Sequence, residues 1–196
     1  MKIILASKNN DKIDEIKKIL AKTNIDLVTS NDITFPDVEE TGSTFVENAL
    51  LKAKSASEAT GLGSIADDSG IEVNYLNGKP GIKSARFAGE NATNEENNIK
   101  LLNELSNVPF EDRRASYRCV IVYMRFPGDP YPFISFGSWD GYIGLHPKGK
   151  NGFGYDPIFY LPEYKKTSAE ISPAEKNKIS HRAQALSKLE DFFRKT

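Results

Sequence analysis

The chain opens on a short apolar segment that runs into a polar turn and then a helix, and this order commits it to mixed α and β structure. Lys2–Ala6 stops abruptly at Ser7, so it reads as a buried first strand. Asp11 to Thr23 then places Ile13, Ile16, Ile19 and Leu20 on one helical face. Strand, polar turn and helix in this order aim backbone N–H groups at an anion, because the start of a helix carries the positive end of its dipole.

Thr44 with Glu47 forms a capping box for a second helix, closed by Gly61. Ser64–Ala66 and Ile71–Tyr75 read as two short strands on either side of an acidic turn, and Asn77-Gly78 as a tight turn. Thr93 and Glu96 cap a helix that reaches roughly Leu105. Ala115 to Phe126 is strand-like, with Phe133 to Ile143 as its antiparallel partner through Pro127-Gly128-Asp129-Pro130. A last helix starts at Ser172-Pro173-Ala174-Glu175, with Ile179, Ala183, Leu186, Leu189 and Phe193 along its buried face. No repeat or linker divides the chain, so one α/β (mixed α+β) domain over residues 1–196, built on a mixed sheet, is expected.

The net charge is −1, which supplies no global field for nucleic acid or an anionic membrane. Any polyanion must be held by a local site. The single cysteine, Cys119, rules out a disulfide framework within the chain and reads as a buried strand residue. The first apolar run is too short for a secretory segment and no stretch approaches a membrane span, so a cytoplasmic protein is expected.

Four constellations carry chemistry. Ser7-Lys8-Asn9-Asn10-Asp11-Lys12 offers hydroxyl, amide and ammonium groups at a helix start, as a triphosphate requires, without the spacing of a Walker loop. Asp67-Asp68 precedes a small Ser69-Gly70 pair; adjacent carboxylates occur in solvated turns or around a cation, and Mg²⁺ takes one or two of them together with waters and phosphate oxygens. Glu39 and Glu40 are the additional acids. Phe153-Gly154-Tyr155-Asp156 sets aromatics among glycines, either to stack on a planar ligand or to pack into the core. On the last helix, Lys176 shares a face with Ser180, and Asn177 with His181; Arg182 follows.

In this order and spacing the segments resemble the inosine triphosphate pyrophosphatase family. The likeness runs from Leu5-Ala6-Ser7-x-Asn9 through Glu39-Glu40-Thr41-Gly42, Lys52-Ala53, Ala66-Asp67-Asp68-Ser69-Gly70 and Phe153-Gly154-Tyr155-Asp156-Pro157 to Ile179-Ser180-His181-Arg182. Lys8 stands where many relatives have glycine. The resemblance implies an elongated mixed β-sheet with flanking helices, two lobes around a central cleft, and a homodimer. It also implies Mg²⁺-dependent hydrolysis of non-standard purine nucleoside triphosphates (ITP, dITP, XTP) to monophosphate and pyrophosphate. Asp68 is implied as general base and metal-site residue, with Asp67, Glu39 and Glu40 as further metal candidates. Ser7, Lys8, Asn9, Asn10, Asp11, Lys12 and Lys52 would hold the triphosphate. Ser69, Phe153, Gly154, Tyr155, Asp156, Lys176, His181 and Arg182 would contact the nucleotide.

In that scheme Asp67 raises the basicity of Asp68 by like-charge repulsion. Lys176, His181 and Arg182 donate to a 6-oxo group, where adenine would face them with an amino donor. Two rivals remain: a Maf-like pyrophosphatase, against which Phe153–Asp156 and Ser180-His181-Arg182 argue, and a nucleotide-binding module without catalysis. A pure triphosphate binder gains nothing from Asp67-Asp68 unless a metal is present.

Overall fold

The computed structural model describes residues 1–21 and 23–195. Lys22, inside the expected first helix, and Thr196, at the end of the expected domain, lie outside the described residues. Among the described residues seven strands form one sheet: β1 (Lys2–Leu5), β2 (Asp26–Val28), β3 (Gly63–Val73), β4 (Arg114–Met124), β5 (Phe133–Ile143), β6 (Phe159–Leu161) and β7 (Lys166–Thr167), in the order β2-β1-β3-β4-β5-β6-β7. β1 pairs in parallel with β2 and β3, placing Ile3 opposite Leu27 and Gly63. β6 is antiparallel to β5 and β7, so the sheet is mixed, as expected.

The helices are α1 (Asn10–Leu20), α2 (Phe45–Thr60), α3 (Asn94–Glu104), α4 (Pro173–Ile179) and α5 (His181–Lys195). Their starts follow local chemistry. Asn9 caps α1 by accepting the Lys12 N–H at 3.1 Å. Thr44 with Glu47, and Thr93 with Glu96, form the two capping boxes read from the sequence. Gly61 ends α2 in the left-handed conformation.

The chain clusters into two compact units of interleaved segments. The first comprises Met1–Asp68, Cys119–Gly137 and the chain from His181; the second comprises Ser69–Arg118 and Ser138–Ser180. In the first unit the sheet is buried on both faces, and side-chain parity shows it. Ile3, Leu5, Ile65, Cys119, Ile121 and Tyr123 pack with α1 and α5. Ile4, Ala6, Ala66, Val120, Val122 and Met124 pack with Ala49, Ala53 and Ala56 of α2. Burial pushes the Cys119 thiol up to about 12, so it is an inert core residue.

The second unit has a core of Ile71, Val73, Ala115, Tyr117, Trp139, Ile143 and Phe159 under Leu101 of α3 and Leu105 at its C-terminal cap. The opposite strand face is polar. Arg118 Nε donates to Glu72 at 2.9 Å, and Ser116 Oγ donates to Asp140 at 2.6 Å.

Two expectations need correction. The acidic turn does not exist: Asp67-Asp68-Ser69-Gly70 lies inside the continuous strand β3. Turn propensity is overridden because each carboxylate finds cations on its own face of the strand. The last helix is also two helices, since Ser180 is extended (φ −66°, ψ 161°) between α4 and α5. Lys176 and Ser180 therefore share no helical face, nor do Asn177 and His181. Serine competes poorly for helix interiors because its hydroxyl favours capping conformations.

Candidate active site

Successive residues of a strand point to opposite faces, so Asp67 and Asp68 belong to two different charge clusters within the first unit. Asp67 shares the face of Ile65 and meets α1 and α5: Lys12 Nζ lies 3.0 Å and Arg182 Nη2 3.4 Å from its carboxylate. Arg182 also pairs with Glu15 of α1. Burial alone would raise the Asp67 pKa, but Lys12, Arg182 and Lys52 outweigh it and hold the carboxyl well below the usual range.

Asp68 shares the face of Ala66 and meets α2. Lys52 Nζ lies 2.9 Å from Asp68 Oδ1 and 2.8 Å from Glu40 Oε1, bridging the two acids. Here burial, helped by Glu40, wins over Lys52 and Lys12, and the Asp68 carboxyl is raised. The neighbouring anion that raises Asp68 is thus Glu40 across the cluster. Asp67 points to the opposite face, so Glu40 contributes more to this shift than the neighbouring carboxylate does. Lys52 is pushed above its ordinary value: burial opposes its charge, and Asp68, Asp67 and Glu40 prevail.

One side chain, not singled out from the sequence, ties this cluster together. Asn48 is buried on α2; its Oδ1 accepts the Gly42 N–H at 2.8 Å, and its Nδ2 donates to Asp68 Oδ2 at 3.4 Å. The loop bearing Glu40 is thereby fixed against the strand bearing Asp68. A Cβ on Gly42 would lie 2.6 Å from Asn48 Oδ1, so only glycine allows this approach. The local signal was an amide on the alanine face of α2, beside Ala49 and in line with Ala53. Glu15 was also missed, because its partner lies far along the chain.

The Ser7–Lys12 turn divides. Ser7 Oγ accepts the Asn9 N–H at 3.3 Å, and the Asn9 amide is engaged as the helix cap. Lys8 is exposed and pairs with Asp37 at 3.2 Å. Asn10 and Asp11 are exposed at the start of α1. The Asp11 carboxylate complements the helix dipole and would repel a phosphate. Glu39 is exposed, while Glu40 alone of the pair reaches the Asp68 cluster.

In the second unit the Phe153–Asp156 loop is organised from within. Asp156 is 1% exposed; its Oδ2 accepts the Phe153 N–H at 2.8 Å and Lys176 Nζ at 2.6 Å, and its Oδ1 accepts Ser168 Oγ at 2.7 Å. Gly152, at φ +73°, leaves room for that carboxylate, since a Cβ there would lie 1.9 Å from Oδ2. Lys176 Nζ also sits 5.0 Å from the Phe153 ring centroid, a cation–π contact. Tyr155 is buried and donates to the Ser84 carbonyl at 2.8 Å, so it anchors the loop in the core rather than presenting a ring. Asn98 of α3 donates to the Gly154 carbonyl at 3.0 Å. Half-buried Ser69 belongs to this unit, directly after Asp68. Lys176 is in the second unit, whereas buried His181 and Arg182 open α5 in the first.

Among the described residues no group of three or more His, Cys, Asp or Glu side chains is gathered as an all-protein metal cage. Mg²⁺ does not need one, being content with one or two carboxylates, water and substrate phosphate. Glu40 and Asp68 meet that requirement, because their oxygens already converge on one cationic nitrogen. No helix of the described residues is long and apolar enough to cross a membrane.

Known proteins resemble this chain along nearly its whole length. A dITP/XTP pyrophosphatase of Thioalkalivibrio sulfidiphilus is 54% identical over 186 residues, covering 95% of each chain. One of Coxiella burnetii is 49% identical over 189 residues, covering 96% of this chain and 94% of the relative. A solved Ham1 protein from Coxiella burnetii superposes with a TM-score of 0.93 at 47% identity, covering 100% of both chains. The Staphylococcus aureus Ham1 structure gives 0.87 at 46%, covering 99% of this chain and 98% of that one. Residues 3–192, which contain both charge clusters and the Phe153–Asp156 loop, match the Ham1 family model, and the chain belongs to that family.

Proposed function

We propose that this protein hydrolyses non-standard purine nucleoside triphosphates (dITP, XTP and ITP) to the monophosphate and pyrophosphate, with Mg²⁺ as cofactor. The dITP/XTP pyrophosphatases among its relatives support the reaction. The observation that carries it in the structure is Asp68: a mostly buried carboxylate with a raised pKa, facing one lysine and a second acid. Such a group holds and accepts a proton better than an exposed aspartate of pKa about 3.9.

Asp68 orients the attacking water and accepts its proton. Glu40 and Asp68 would hold Mg²⁺, which when bound neutralises phosphate charge and stabilises the pyrophosphate leaving group. Lys12 and Lys52 stabilise charge on the departing oxygens. Asp67, clamped by Lys12 and Arg182, orients Lys12. Ser7 and the backbone at the start of α1 receive the triphosphate. His181 donates to the 6-oxo group of the base, while Lys176 holds Asp156 and with it the loop that carries Phe153. Arg182, engaged with Glu15 and Asp67, positions the cluster. The reading extends to a cytoplasmic homodimer that acts on free nucleotides, in keeping with a net charge of −1. Its role is to keep aberrant bases out of DNA and RNA.

The test is pyrophosphate release from dITP, XTP and dATP, with Mg²⁺ and with EDTA. Metal-dependent turnover of the first two, well above dATP, is expected. Equal turnover of all three would overturn the substrate assignment.

A further inference from the structure

The Lys52 ammonium occupies a point on which two acids converge, 2.8 Å from Glu40 and 2.9 Å from Asp68. We propose that Lys52 is the resident cation of this site, and that a divalent ion enters only as Lys52 swings out to the triphosphate. This rests on the reading of Glu40 and Asp68 as metal ligands.

The geometry is specific to this cluster. Asn48 fixes both carboxylate-bearing segments, through the Gly42 N–H and Asp68 Oδ2, so the acids stay convergent when the ammonium leaves. Mg²⁺–oxygen distances are about 2.0–2.1 Å, so the oxygens need close in by less than an ångström to pass from ammonium to metal. An ammonium and a dication cannot share that point, because like charges a few ångströms apart repel strongly in a half-buried site. Lysine suits the exchange: its ammonium is a compact charge on a flexible four-carbon stem. A triphosphate supplies the new partner for Lys52 and oxygens for the metal together. Nucleotide and metal therefore promote each other's binding, as linkage requires. Asp67 offers the contrast within the same unit: two cations, Lys12 and Arg182, hold it, and Arg182 is itself anchored by Glu15.

The experiment titrates the protein with Mn²⁺ alone and follows loss of the free-ion EPR signal. Wild type should bind Mn²⁺ weakly. Lys52→Met should bind it at least about tenfold more tightly, from the size of the charge removed, and Lys52→Gln should do the same if the methionine variant folds poorly. Lys12→Met strips an ammonium that contacts Asp67 and acts on Asp68 only at a distance, so its gain in Mn²⁺ affinity should be well below that of either Lys52 variant. No gain in either Lys52 variant, or an equal gain in Lys12→Met, overturns the proposal. Wild-type turnover of dITP that persists in EDTA would sink the metal reading itself, a result distinct from Mg²⁺-dependent turnover without a Lys52 effect.

Discussion

The two units use buried charge in opposite ways. In the first, Asp67 and Asp68 sit on a strand packed on both faces, and each is met by cations reaching in from the flanking helices. In the second, Asp156 and Lys176 are both buried, and the pair fastens a loop to its own core. The first arrangement sets Asp68 and Lys52 where a ligand can engage them. The second spends its charges on shape. Replacing Asp68 should therefore change chemistry above all, and replacing Asp156 should change stability.

The sharpest way to break this contrast is Asp68→Asn. The amide keeps the size of the side chain and removes the base, so kcat should fall by roughly 10²–10⁴-fold, with the thermal midpoint unchanged within a few degrees. A variant that keeps near-parent turnover of dITP removes Asp68 from the chemistry. One that unfolds erases the distinction between the units.

Asp156→Ala is the counterpart. It strands the Lys176 ammonium in the interior and frees the Phe153 N–H, so a loss of about 3–5 kcal/mol is expected in urea unfolding. Asp156→Asn combined with Lys176→Met should recover part of that loss. A destabilisation under about 1 kcal/mol would mean that the loop is held by Tyr155 and Asn98 instead.

Base selectivity gives a smaller effect. His181→Ala should lower kcat/KM for dITP by about five- to a hundredfold, the worth of one hydrogen bond of about 1–3 kcal/mol, and narrow the gap to dATP. Arg182→Ala should instead lower both substrates by one factor, because its partners are Glu15 and Asp67. Reversed outcomes would place selectivity in Arg182.

The smallest effect is a pH dependence of stability. The folded Asp67 carboxyl lies below its unfolded value of about 3.9. Its contribution is therefore complete above that pH and is lost as pH falls towards the folded value. Asp67→Asn should flatten the decline in urea midpoint below about pH 4 while leaving turnover less affected than Asp68→Asn does. An unchanged acid limb would show that the Lys12 and Arg182 contacts add nothing to folding.

Much of this was legible locally. The opening strand, both capping boxes and the span Phe133–Ile143 depend on neighbours within a few residues, and the chain reports them directly. What failed depended on distant partners. Asp67-Asp68-Ser69-Gly70 has turn-like composition, and only Lys12, Lys52 and Arg182 make it habitable inside a sheet. The division of roles between Glu39 and Glu40 is set by a loop that Asn48 holds from α2. The break at Ser180 was hidden by an apolar spacing that two helices satisfy as well as one.

The alternation along β3 also has a consequence for how such a gene can drift. A point change at residue 67 or 68 removes the direct contacts of one face and leaves those of the other standing. Loss or gain of a single codon between Gly63 and Ala66 is another matter. It would exchange the carboxylates between faces, setting each before the other's cations and turning Ile65 and Ala66 into each other's cores. This stretch should thus accept substitutions far more readily than changes of length, and lineages should differ there in letters and never in count.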